Sequence, residues 1–170
     1  MKKILYLFML LIVSTTTAFS QKPLEFEYVQ TFPGFTKDDI YSKVKIWISE
    51  YYKSAKNVIE LDDKENGVII LHPTSKFNFT QFTIITTYVD YQCKILIKDS
   101  KIKIINNSFI NNSIAYKAWA QGLVYGEDYK PKFGYGKFYK QLQEHCKNID
   151  TGITESITTT ILLQRNDNNW

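Results

Sequence analysis

The sequence predicts an α+β fold in the order strand, helix, four strands, helix: an antiparallel sheet with two helices packed on one of its faces. Two observations carry this. The stretch Phe82 to Ile110 reads as two long strands joined at Lys98-Asp99-Ser100-Lys101. Folding it about Asp99-Ser100 sets Ile97 opposite Ile102, Ile95 opposite Ile104 and Val89 opposite Ile110 on one side. Lys98 with Lys101, Leu96 with Lys103 and Gln92 with Asn107 fall on the other, because strand side chains alternate and cross-strand partners point the same way. Second, one segment before this hairpin and one after it carry apolar residues at helical spacing. They supply the cover that a one-sided apolar sheet requires.

In chain order, Leu24, Phe26, Tyr28 and Phe32 alternate with Glu25, Glu27, Val29 and Thr31, which is the pattern of a strand with one buried face. Pro33-Gly34 ends it. Thr36 opens a helix, with Asp39 placed three residues on as in a capping box, and Ile40, Val44, Trp47, Ile48 and Tyr51 form its apolar stripe. A short strand is expected at Asn57 to Leu61. Asp62-Asp63-Lys64-Glu65-Asn66-Gly67 then turns the chain into a strand at Val68 to Leu71, since Asn-Gly before a β-branched run favours a hairpin. The four charges there lack the alternating oxygen ligands and distant glutamate of a calcium loop, so they read as a solvated turn.

Beyond the central hairpin lies an aromatic-rich loop, 111–136, with Tyr116, Trp119, Tyr125, Tyr129, Phe133 and Tyr135 among glycines and prolines. It reads as a flap of rings over the core edge or as a ligand site, with a short helix from Ile114 to Gly122 carrying Trp119. A long helix follows at about 137–163, or two helices hinged near Gly152, with Phe138, Leu142, Cys146, Ile149, Ile153, Ile157 and Ile161 three or four apart. The tail from Arg165 to Trp170 is polar and frays.

At 170 residues, with 44% apolar and 22% charged residues, the chain fits one domain with a sizeable core. Residues 1–20 read as a signal peptide: Lys2-Lys3, an apolar run from Ile4 to Val13, then Ala18-Phe19-Ser20 before a cut at Gln21. That run is too short for a permanent span. The expected mature domain is 21–170, exported to the periplasm or outside the cell, with no membrane span. Removing Lys2 and Lys3 from 21 basic residues leaves 19 against 17 acidic, a net charge of +2. So small a bias gives no ground for nucleic-acid binding. Export permits a Cys93–Cys146 disulfide, with two buried free thiols as the alternative.

Catalytic chemistry finds little support. His72 and His145 are the only histidines, and His145 diverges from Cys146 on a helix by about 100°. A zinc site from His72, Cys93, His145 and Cys146 requires four separate coincidences. There is no phosphate loop, nucleophile elbow or zinc-helix motif. The expectation is no enzyme, no catalytic residue, no metal and no cofactor.

The run Thr36-Lys37-Asp38-Asp39-Ile40-Tyr41, Trp47 with Ile48, and Asn57 to Ile69 with its Asp63-Lys64-Glu65-Asn66-Gly67 core resemble the secreted bacterial domain-of-unknown-function family 4468. The resemblance covers roughly Leu24 to Ile110. It implies a fold like that of the TATA-box-binding protein, a curved sheet with helices on one face, and an exported location; it implies no activity. In that fold the open face of the sheet meets DNA, but fold analogy is a weak warrant for function, and the lysines here serve solubility and discourage edge pairing. The functional reading is an exported binding module of the cell envelope, using an open sheet face around Tyr88, Gln92, Lys94 and Lys103 to hold an unknown envelope protein or small molecule. The alternative is a carrier of a small apolar ligand between the last helix and the sheet.

Overall fold

The computed structural model describes residues 21–80, 84–112 and 122–163. The segment 1–20 expected to direct export, Phe82, the short helix expected from Ile114 with Tyr116 and Trp119, and the polar tail lie outside these residues. The described strands are β1 (Phe26–Thr31), β2 (Ile59–Asp63), β3 (Val68–Leu71), β4 (Thr74–Thr80), β5 (Ile84–Lys98), β6 (Lys101–Asn111) and β7 (Gly122–Leu123). The helices are α1 (Lys37–Tyr51), the four-residue α2 (Ala55–Val58) and α3 (Gly136–Leu163).

The spine of the sheet is the β5–β6 hairpin. Fifteen residues at about 3.3 Å each make β5 about 50 Å long, and each edge of the spine is lined by two shorter strands end to end. β3 and β4 both pair with β5, β1 and β7 both pair with β6, and β2 closes one edge beside β3. The break between β3 and β4 falls at His72-Pro73, where a proline has no N–H for the ladder. The order β1-β6-β5-β3-β2 is antiparallel throughout.

The register is the expected one from Lys98–Lys101 to Gln92–Asn107 and then shifts by one residue. Ser108, with a φ of 53°, is the extra residue of a bulge in β6. Val89 therefore faces Asn111 and not Ile110. Phe109 turns onto the covered face with no exposure, while Ile110 is 38% exposed. The bulge preserves an apolar core past Asn107, where unbroken alternation would have aimed Ile110 inward.

Both long helices lie on one face. α1 starts with the full capping box: Thr36 Oγ1 accepts from the Asp39 amide, and the Thr36 amide donates to Asp39 Oδ2 at 3.0 Å. The Lys37 amide donates to Asp99 Oδ1 at 2.7 Å, so the β5–β6 turn also caps this helix. Ile40, Val44, Trp47 and Ile48 are buried as expected; Tyr41 joins them, and Tyr51 is 44% exposed at the helix end. The strand expected at Asn57 begins two residues later, because 55–58 form the turn of α2. β4 and β7 are strands beyond the expected four. The hinge near Gly152 is absent: α3 runs unbroken for 28 residues, with all seven expected apolar positions buried. Trp47 Nε1 donates to Ser156 Oγ at 2.9 Å and ties α1 to α3.

One glycine is required by contact. Gly67, at φ 65°, lets the β2–β3 turn press on β5, and a Cβ there would stand 2.4 Å from the Ile97 carbonyl oxygen.

Candidate functional site

The face of the sheet opposite the helices is built by cross-strand ladders running over five strands. One joins Leu61, Ile70, Lys94, Ile105 and Glu27. The next, towards the β5–β6 turn, joins Asp63, Val68, Leu96, Lys103 and Val29. Alternation puts all ten on the open side, and together they lay an apolar band of Val29, Leu61, Val68, Ile70, Leu96 and Ile105 across it. Val29 and Leu61, at the two edges, are 43% and 42% exposed.

The four residues singled out from the sequence all lie on this face. Lys94 is flanked by Ile70 and Ile105, and Lys103 Nζ pairs with Glu27 Oε2 at 2.7 Å. Gln92 Nε2 lies 3.0 Å from His72 Nε2, which also lies 2.7 Å from Glu60 Oε2. Tyr88 is 52% exposed but stands apart, beyond Asp90 and beside Lys76 of β4. The structure thus brings Gln92, Lys94 and Lys103 into one patch and leaves Tyr88 on its rim. The apolar band escaped sequence reasoning. Its signal was Val68-Ile69-Ile70-Leu71, apolar at every position, which a strand with one wet face does not need.

On the covered face lies a polar cluster. Cys93 is opposite Asn106, and Asn106 Nδ2 donates to Asp150 Oδ1 of α3 at 2.7 Å. Asn106 is fully buried, and its Oδ1 has no hydrogen-bond partner among the described residues. Burial raises the Asp150 carboxyl against the lowering effect of that hydrogen bond. Burial likewise raises the phenols of Tyr52 and Tyr91 and the Cys93 thiol, and pushes Cys146 up to about 12. Both cysteines are free and buried, so of the two alternatives the thiols and not the disulfide are found. Thiols held this far from ionisation are poor nucleophiles.

The histidines are far from this cluster in setting. His72 is on the open face, whereas His145 is on the covered side, within 3.1 Å of Ser75 Oγ and against the Phe77 ring, where burial lowers its pKa. The sheet separates His72 from Cys93. Among the described residues no group of three or more histidines, cysteines or carboxylates is placed to hold a metal.

The aromatic loop packs as a flap where it is described. Tyr125 stacks on Tyr129, Tyr129 leans on Tyr139 of α3, and Gln143 Nε2 donates to the carbonyls of Tyr125 and Gly126. Phe133 is wholly exposed. A groove of about 510 Å3 between β1 and α3 is lined by Tyr28, Thr151, Thr154, Glu155, Thr158 and Thr159. Its wall sets threonine methyls and the Tyr28 ring beside hydroxyls and the Glu155 carboxylate, at the place between the last helix and the sheet where the alternative reading puts a ligand.

Comparison with known proteins bears on the fold. The family model described as a domain of unknown function (DUF4468) with TBP-like fold matches residues 26–109. Two solved structures are similar. One is a DUF4468 family protein from Bacteroides ovatus, 16% identical, covering 79% of this chain and 86% of that one, with a TM-score of 0.60. The other is a TBP-like protein from Parabacteroides distasonis, 12% identical, covering 82% and 93%, with a TM-score of 0.64. No curated protein sequence matches the chain.

Proposed function

The chain carries a DUF4468 domain with a TBP-like fold over residues 26–109, and from that premise we propose that it is an exported, non-enzymatic interaction module of the cell envelope whose open sheet face is the contact surface. One observation supports this above the others. Both long helices are spent on one face, while the other keeps an apolar band framed by lysines and glutamates. An apolar patch with a polar rim is the usual make-up of a contact surface. The basic, apolar and small-residue order of residues 1–20 supports export.

A photo-crosslinking residue at Lys94, with a control at the exposed helix residue Lys147, tests the contact surface in the native envelope. A discrete adduct from position 94 and none from 147 is expected. Equal labelling from both, or pull-down of an envelope partner unchanged by Tyr88→Ala with Lys94→Ala, contradicts the reading. The mass of the purified chain tests export: it should begin at Gln21, and a chain retaining Met1 in the cytoplasm would sink that part.

A further inference from the structure

The open face is polarised along the strands. At the β5–β6 turn end, Lys98 and Lys101 are directly opposite, both exposed, and in no ion pair with the described residues. The one carboxylate of the adjoining ladder's edge, Asp63, is engaged by Asn66. At the far end of the same face the charges reverse: Glu25 accepts from Asn107 Nδ2 at 2.9 Å, and Glu60 holds His72. Between the two ends run the two ladders of the apolar band.

We propose that the partner this face fits is a second copy of the same chain, docked face to face about a twofold axis that lies in the interface and runs across the strands. This rests on the contact-surface reading above and names its occupant. Such an axis reverses the strand direction, so each ladder meets its counterpart from the other end. Lys98 and Lys101 of one copy stand over Gln92 and Asn107 of the other, with Glu25 one strand to the side of Lys101 and Glu60 two strands to the side of Lys98. The stem of Lys94 lies over Leu96 of the partner copy, and Ile105 lies under the stem of Lys103, so the lysines bury methylenes and avoid their own counterparts. One patch serves both sides, as an isologous interface requires, and stacked sheets align in this manner over apolar inner faces. Five strands about 4.8 Å apart and four ladders about 6.8 Å apart give about 650 Å2 per copy, about 1,300 Å2 in all, the lower end of specific interfaces. The dimer is therefore weak, concentration-dependent and salt-sensitive.

Sedimentation of the mature chain tests this. The wild type should pass from monomer to dimer as concentration rises, and raising NaCl from about 0.05 to about 0.5 M should shift the midpoint at least threefold upward. K98E/K101E and E25K/E60K should each stay monomeric, because each puts like charges at both ends of the pair. An equimolar mixture of the two should dimerise again, which no folding defect can mimic. A wild type monomeric at all concentrations, or a mixture that fails to associate, overturns the inference. If the wild type is monomeric while position 94 still cross-links to an envelope component, self-pairing falls and the contact-surface reading stands.

Discussion

The covered and open faces share the same strands, and the same hairpin supplies the middle of both. On the covered face Ile95, Ile97, Ile102 and Ile104 are at most 2% exposed and sit under two helices. On the open face Leu96 and Ile105 alternate with them residue by residue, yet charges stand beside them and no helix of the described residues lies above. The difference shows that apolar content alone does not determine which face becomes core. The helices go where the stripe is unbroken along both strands, and Lys94 and Lys103 interrupt it on the other side.

The strongest way to break this contrast is to exchange a residue on each face. Ile95→Ala should cost about 2–5 kcal/mol, because the site cannot collapse around the lost methylenes. Leu96→Ala, one residue along, should cost under about 1 kcal/mol. Equal midpoint shifts in urea would deny that the faces differ. Next in size is Gly67→Ala, expected to lose about 2–3 kcal/mol, since its Cβ would strike the Ile97 carbonyl at a positive φ. A neutral result would mean the β2–β3 turn does not press on β5.

Asp150 sharpens the contrast from within the core. Its folded pKa is raised, so its contribution to stability is present below its unfolded value of 3.8 and is lost as pH rises through the folded value. Asp150→Asn removes that loss and can place an amide against the Asn106 oxygen, stabilising the protein at neutral pH by about 1 kcal/mol. Denaturation across pH 3 to 7 would show a flatter curve for the variant; a variant less stable at pH 7 contradicts the burial argument. The smallest effect belongs to His145. Its folded pKa is lowered, so its contribution is present above the unfolded value of 6.5 and is lost as pH falls below it. His145→Gln should flatten stability between pH 7 and 5, and an unchanged slope would place the histidine in solvent.

The covered face was legible in the sequence because each of its elements announces itself locally. The hairpin alternates, Thr36 with Asp39 marks a helix start, and the α3 stripe holds its spacing for seven residues. Prediction failed where geometry depends on contacts between segments. The Ser108 bulge is a serine at positive φ, and no composition rule marks it. β4 escaped because only Phe77 and Phe79 alternate in it, and its partner stretch of β5 is rich in threonine. The open-face band is legible least of all: each strand lends it only one or two side chains, and only the cross-strand register assembles them.

Thiol labelling in dilute native protein tests the two-faced arrangement most directly. A cysteine placed by Val29→Cys on the open face should react at the rate of an exposed thiol, while Cys93 and Cys146 stay unmodified until the protein unfolds. Ready modification of Cys93 in the folded protein, or protection of position 29 in the dilute monomer, would contradict the account.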